Sequence, residues 1–149
     1  MRAAAFLVAL ACCLGCDSAP EPFTFEEARA TWDSARVEDY SVRQFRQISC
    51  DTCRDTPLPT ATVVVRDGVV AEVRDPEGGI VAVGALPSDS LAFRFALTVD
   101  DAFALIEQAV RDSTLAYAHF DGRLGYPTSA AVRGGGHADS FVLRDLQPD

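Results

Sequence analysis

Ala61-Thr62-Val63-Val64-Val65-Arg66-Asp67-Gly68-Val69-Val70-Ala71-Glu72-Val73-Arg74 decides the fold class of this chain. Two β-branched runs, Ala61 to Arg66 and Val69 to Arg74, flank an Asp-Gly pair. That dipeptide is the strongest short-range hairpin signal, because the favoured two-residue turn needs positive φ at both central residues. Upstream, Tyr40 to Ser49 reads as a strand with Tyr40, Val42 and Ile48 on one face. Phe45 falls on the other, which implies a bulge or a strand covered on both sides. Cys50 to Pro59, punctuated by Pro57 and Pro59, reads as a loop. Downstream, Asp75-Pro76-Glu77-Gly78-Gly79 interrupts the sheet. Ile80 to Ala96 carries the weakest pattern, with an edge strand expected at Ala92 to Leu97 after a turn at Pro87-Ser88-Asp89-Ser90. Leu115 to Phe120, Thr128 to Arg133 and Ser140 to Leu146 complete the strands, with turns at Asp121-Gly122 and Gly134-Gly135-Gly136.

Two helices punctuate these strands. Thr24 and Glu27 form a capping box, Phe23 stands where a hydrophobic staple would sit, and Phe25, Ala28, Trp32 and Ala35 recur at helical spacing. A second helix starts at Thr98, with Asp101 as its capping partner and Val99, Ala102, Phe103, Ile106 and Val110 along one face. The two starts, Thr24-Phe25-Glu26-Glu27-Ala28 and Thr98-Val99-Asp100-Asp101-Ala102, look alike, but the likeness stops there. Two independently capped helices therefore account for it better than an internal duplication does. Helix, strands, helix, strands, with hairpin connections and no early βαβ spacing, predicts an α+β fold. The expectation is an antiparallel sheet of about five or six strands with two helices packed on one face.

The N-terminus reads differently. Met1-Arg2 is a positive start, Ala3 to Leu14 is apolar, and Leu14-Gly15-Cys16 closes the run. The apolar run is well short of the ~20 residues that cross a bilayer and suits a cleaved signal. Leu14, Gly15 and Cys16 resemble a bacterial lipobox, which implies residues 1–15 as signal peptide and Cys16 as the lipidated, palmitate-bearing first residue. Gly15 directly before Cys16 favours it over Cys12 and Cys13. Residues 16–23 then form a lipidated tether and 24–149 a single domain. The expected location is the cell envelope, anchored to a bacterial membrane through Cys16, with the leaflet open.

Charge narrows the partners. The 149 residues carry a net charge of −9, and every one of the 13 Lys-plus-Arg positions is arginine. A net acidic domain repels phosphate backbones and acidic headgroups, so no nucleic acid is expected and attachment to membrane should come from acyl chains. Of the five cysteines, Cys12 and Cys13 leave with the signal and Cys16 is acylated. Cys50 and Cys53 remain, most simply as one disulfide in an oxidising compartment.

Leu124-Gly125-Tyr126-Pro127-Thr128-Ser129, together with Trp32, Asp39-Tyr40-Ser41, Cys50, Cys53, Val65-Arg66-Asp67-Gly68-Val69 and Thr98-Val99-Asp100-Asp101-Ala102-Phe103, resembles a bacterial family of secreted proteins and lipoproteins. That family is known only as a domain of unknown function. The resemblance covers nearly all of residues 24 to 146 and implies no activity.

Chemistry is then sought residue by residue. Cys50 follows a strand and leads into a proline loop, so it lacks the helix N-terminus that lowers a thiol pKa. His119 and His137 could join the cysteines at tetrahedral zinc, but no ligand spacing links them. Ser129 or Ser140 with His137 and Asp139 makes a triad on paper only, without a nucleophile elbow. Gly134 to Gly136 lack the Lys and following helix of a phosphate cradle, and Asp100 and Asp101 read as first-turn helix residues. No catalytic residue, metal or cofactor is expected, and the chain is read as not an enzyme. Tyr126 and Trp32 are the candidate binding residues, Trp32 also suiting the core. The resulting expectation is a non-catalytic envelope module that binds a protein or peptide. The competing readings are a metal- or thiol-dependent activity at the Cys50/Cys53 loop with His137, and an inhibitor of an envelope enzyme, the latter by fold analogy alone.

Overall fold

The computed structural model describes residues 23–50, 53–57, 60–83 and 95–149, with backbone only at 50, 53–57, 82 and 83. Residues 1–22, where the signal segment, the lipidated Cys16 and the tether are expected, lie outside the described residues. Helix α1 (Phe25–Ala35) is followed by β1 (Tyr40–Cys50), β2 (Cys53–Pro57), β3 (Ala61–Arg66), β4 (Val69–Arg74) and β5 (Ile80–Val83). Helix α2 (Val99–Arg111) then leads into β6 (Leu115–Phe120), β7 (Pro127–Gly134) and β8 (His137–Pro148). Every strand pair is antiparallel. Seven strands run in the order β5-β4-β3-β1-β8-β7-β6, and β2 pairs with β1 off that path.

The α+β class holds, and the strand count is corrected from five or six to eight among the described residues. One added strand is β2, inside the stretch expected to be loop. Its sequence, Cys-Arg-Asp-Thr-Pro, has no apolar alternation, so its pairing comes from the backbone. β3 pairs with β1 only from Tyr40 to Gln44, leaving the far end of that edge without a partner, and β2 takes up Gln47 to Cys50. A long strand with one short neighbour leaves N–H and C=O groups that another segment must satisfy. The other added strand, β5, pairs with β4. The edge strand expected at Ala92 to Leu97 falls partly outside the described residues, and Phe95 to Leu97 are not a strand.

Those residues are held by a side chain instead. Gln44, buried in the core, donates from Nε2 to the Phe95 carbonyl at 2.7 Å and accepts from the Leu97 N–H at 2.8 Å through Oε1. One amide thereby imitates a pair of strand hydrogen bonds and satisfies itself in doing so. Next to it the Tyr40 hydroxyl accepts from the Val99 N–H at 2.7 Å, fixing the start of α2 above β1.

Both helices carry the capping box read from the sequence. At α1 the Thr24 hydroxyl accepts from the Glu27 N–H and the Glu27 carboxylate accepts from the Thr24 N–H; Thr98 and Asp101 do the same at α2. Each cap satisfies two helix-end donors that would otherwise be orphaned. The buried stripe of α2 is Val99, Ala102, Phe103, Ile106 and Ala109, with Val110 54% exposed where it was expected inside. After Ile106 the stripe continues three residues on, and the sheet beneath the last turn selects the smaller side chain. In α1, Ala28 and Trp32 are buried, whereas Ala35, beside the left-handed Arg36 that ends the helix, is exposed.

The buried sides of both helices join one cluster with Tyr40, Val42, Val63, Val65, Ala130, Phe141 and Leu143, which alternate along their strands. Phe25 meets Phe103 and Phe120 edge-on, with centroids 5.9 and 6.4 Å apart, and Phe103 stacks on Phe120 at 6.1 Å. The other face of the sheet carries the intervening residues, Phe45 among them. The sequence left a bulge or a doubly covered strand to explain Phe45. The register of β1 with β8 runs unbroken from Arg43 to Cys50, and no helix among the described residues covers that face.

Candidate functional site

The face of the sheet that no described helix covers is where exposed guanidinium groups collect. Cross-strand register sets its side chains in rows. Arg74, Thr62, Arg43 and Arg144 are successive Cα partners across β4, β3, β1 and β8, and Phe45, Val142, Ser129 and His119 are successive partners across β1, β8, β7 and β6. Val42 and Gln44 on β1, and Phe141 and Leu143 on β8, point into the core, so Arg43, Phe45, Val142 and Arg144, which alternate with them, point out. Arg43 is 62% exposed in its side chain and forms an ion pair with Asp145 at 3.4 Å. Arg74 pairs with Glu72 at 2.5 Å, and its hydrogen bond holds the Glu72 carboxyl below the usual carboxylate range. Arg144 is exposed and has no acidic partner among the described residues.

Two shallow cavities meet on this face. One, of about 520 Å³, is lined by Arg43, Phe45, Thr60, Val142, Arg144 and Asp145; the other, of about 460 Å³, by Tyr117, Tyr126, Ser129, Val142, Arg144 and Asp145. Val142, Arg144 and Asp145 belong to both, so the cavities form one groove over the middle of β8. Its far end holds Tyr117, 44% exposed and tilted against His119 with centroids 5.4 Å apart.

Of the residues that carry the motif resemblance, Tyr126, Thr128 and Ser129 line the groove, and several of the others do structural work away from it. Asp39 accepts from the Asp67 N–H at 2.8 Å, and the Glu38 carbonyl accepts from Gly68 at 3.1 Å, so the segment before β1 clamps the β3–β4 turn. Asp67 and Gly68 have φ of 50° and 72°, the turn that the sequence demanded. In the Gly-Tyr-Pro stretch, Gly125 sits at φ 77°, and a Cβ there would stand 2.4 Å from the Ala28 carbonyl of α1. Only glycine lets this loop touch the helix. Asp121 shapes the same loop by accepting from the Arg123 and Leu124 N–H groups at 3.0 and 2.7 Å. The profile of a family of unknown function, DUF6174, matches residues 24–135. The chain belongs to the DUF6174 family. No curated protein and no solved structure matches it.

Within this DUF6174 domain, the other sequence candidates scatter. Trp32 is 4% exposed and lies edge-on to Tyr40 at 5.7 Å, inside the core. Tyr126 is 7% exposed, and burial, with the nearby Asp121 carboxylate pushing the same way, raises its phenol above the usual range. Its ring edge lines the groove. Asp139 is held by Arg46 through two contacts, at 3.1 and 2.6 Å, and Arg46 also donates to the Phe95 carbonyl at 3.3 Å. Ser140 follows Asp139 on an extended strand and so faces the opposite side of the sheet, which separates it from His137 and Asp139. Asp101 is occupied in its capping box, and Asp100 pairs with Arg29 at 2.9 Å. Among the described residues no group of three or more His, Cys, Asp and Glu could hold a metal, and no helix is long and apolar enough to cross a membrane.

The register does bring three sequence candidates into one row. Cys50 is the Cα partner of Cys53 on β2 and of His137 on β8. The cysteine side chains lie outside the described residues. What sequence reasoning missed is the Arg43–Arg144 groove. Its signal was the alternation of Arg43, Phe45 and Gln47 against Val42 and Gln44 in β1, and it became a site only once β8 was paired alongside.

Proposed function

We propose that this DUF6174 protein is a lipid-anchored bacterial envelope protein whose domain is a non-catalytic module that docks a protein partner on the face of its sheet that no described helix covers. The groove of Phe45, Val142, Arg43 and Arg144 carries the reading. An apolar floor with exposed guanidinium groups at its margin is the composition that favours protein docking, since arginine and aromatic side chains concentrate where partners bind. The lipobox-like Leu14-Gly15-Cys16 supports the anchor, and the directly opposed backbones of Cys50 and Cys53 support a cross-strand disulfide.

Two experiments test it. Intact-mass spectrometry of the mature protein should read acyl chains on Cys16 and no free thiol at Cys50 or Cys53; a full-length, unacylated chain would remove the anchor from the proposal. A photo-crosslinking residue in place of Phe45 should trap a discrete protein adduct in living cells, while the same residue in place of Glu107 on α2 should not. Equal crosslinking at both positions, or none at Phe45, would defeat the docking face.

A further inference from the structure

Any partner that covers Phe45 and Val142 must also cover Arg144. The other two arginines of the row already face carboxylates, Asp145 for Arg43 and Glu72 for Arg74. Arg144 has no such partner among the described residues, so the patch is net cationic on a chain whose net charge is −9. Enclosing an uncompensated guanidinium is strongly unfavourable, whereas a carboxylate meeting it forms a charge-assisted pair. The occupant must therefore bring an anion.

Spacing defines the rest of the occupant. Arg43 and Phe45 are two residues apart on β1, and Arg144 and Val142 are two apart on β8. The cationic and apolar rows thus lie roughly 6.8 Å apart along the strands, and an extended chain repeats its side chains on one face at the same interval. The two rows match an acidic residue followed two positions later by an apolar one.

We propose that the groove binds an extended acidic segment of the partner protein, its carboxylate on Arg144 and Arg43 and its apolar side chain on Phe45 and Val142; this rests on the reading of that face as the docking surface. Recognition is by charge and spacing. It strengthens at low ionic strength and is weakened by salt, since both arginines are exposed.

The test uses the full chain purified in neutral detergent and a fluorescent peptide, Glu-Ser-Leu-Ser-Glu-Ser-Leu, beside its counterpart with Lys for Glu, read by anisotropy. The acidic peptide should bind at least about tenfold more tightly, and Arg144→Glu should erase that preference. Arg144→Gln should lower it in part, and Arg111→Glu, at the end of α2, should leave it unchanged. Unaltered Trp32 emission certifies that each variant is folded. Equal binding of the two peptides, a preference that survives Arg144→Glu, or tighter binding of soluble dihexanoyl-phosphatidylglycerol than of the acidic peptide would overturn the inference. A Phe45 crosslink obtained together with any of those results removes the acidic chemistry alone; absence of the crosslink removes the docking face itself.

Discussion

Tyr40 concentrates several roles in one side chain. Its ring lies under Trp32, and its hydroxyl accepts from Val99 at the first turn of α2. Burial drives its phenol far above the ordinary tyrosine range, with the nearby Asp100 and Asp101 carboxylates pushing the same way and the Val99 hydrogen bond opposing. Burial raises Tyr126 as well. In both, the folded chain resists losing the proton more than the unfolded chain does. Their contribution to stability is fully present below the unfolded value of ~10 and is lost as pH rises toward the folded values. The protein should therefore hold its stability to about pH 10 and lose it above. Tyr40→Phe should cost about 1 kcal/mol at neutral pH, through the lost acceptor of Val99, and should make the alkaline decline shallower. Urea midpoints across this range provide the check; an equally steep decline in the variant would show that Tyr40 is not its source. The importance of Tyr40 could be read from its place at the start of a strand. Its hydroxyl's partner could not, because Val99 is brought there by the crossing of α2 over β1.

At the level of elements, the clearest constraint is the Gly125 loop. Its left-handed φ and the 2.4 Å approach of a Cβ to the Ala28 carbonyl act together. Gly125→Ala should destabilise by at least ~2 kcal/mol, beyond the usual cost of a left-handed non-glycine residue, because α1 must move away. Comparing chemical-denaturation midpoints with those of Gly135→Ala, where φ is also left-handed at 59° but a Cβ meets nothing, separates the contact from backbone strain. A similar loss at both positions would refute the contact. Elements with local signals were legible: the two capping boxes, and the β3–β4 hairpin with its Asp67-Gly68 turn, stand where the residues place them. β2 and the Phe95–Leu97 segment were not. Their positions come from backbone left unpaired on β1 and from the amide of Gln44, neither of which leaves a periodic trace.

Across the whole molecule, each helix leads into an antiparallel meander, and the two meanders join where β1 pairs with β8 along nearly their full lengths. α1 and α2 bridge that seam on one side through Phe25, Phe103 and the Arg29–Asp100 pair. Since one core serves both halves, unfolding should be a single cooperative transition. Far-UV dichroism and the emission of Trp32, the sole tryptophan, should fall on the same denaturation curve; non-coincident curves would mean that the halves unfold separately. Val42→Ala and Leu143→Ala, on the two strands of the seam, should each lower the common midpoint, the leucine truncation by about 2 kcal/mol or more.

The amino-acid sequence by itself determined the α+β class, both helix starts, the main hairpin and the residues that shape the tight turns, because capping, turn chemistry and side-chain periodicity act over a few neighbouring positions. Tertiary structure alone decided which strands lie side by side, and with that the groove: Arg43 and Arg144 are about a hundred residues apart in the chain and become neighbours only through the β1–β8 register. A cross-strand pairing is a sum of backbone hydrogen bonds that any residue can make, so it leaves little mark on either strand until the shared core selects it.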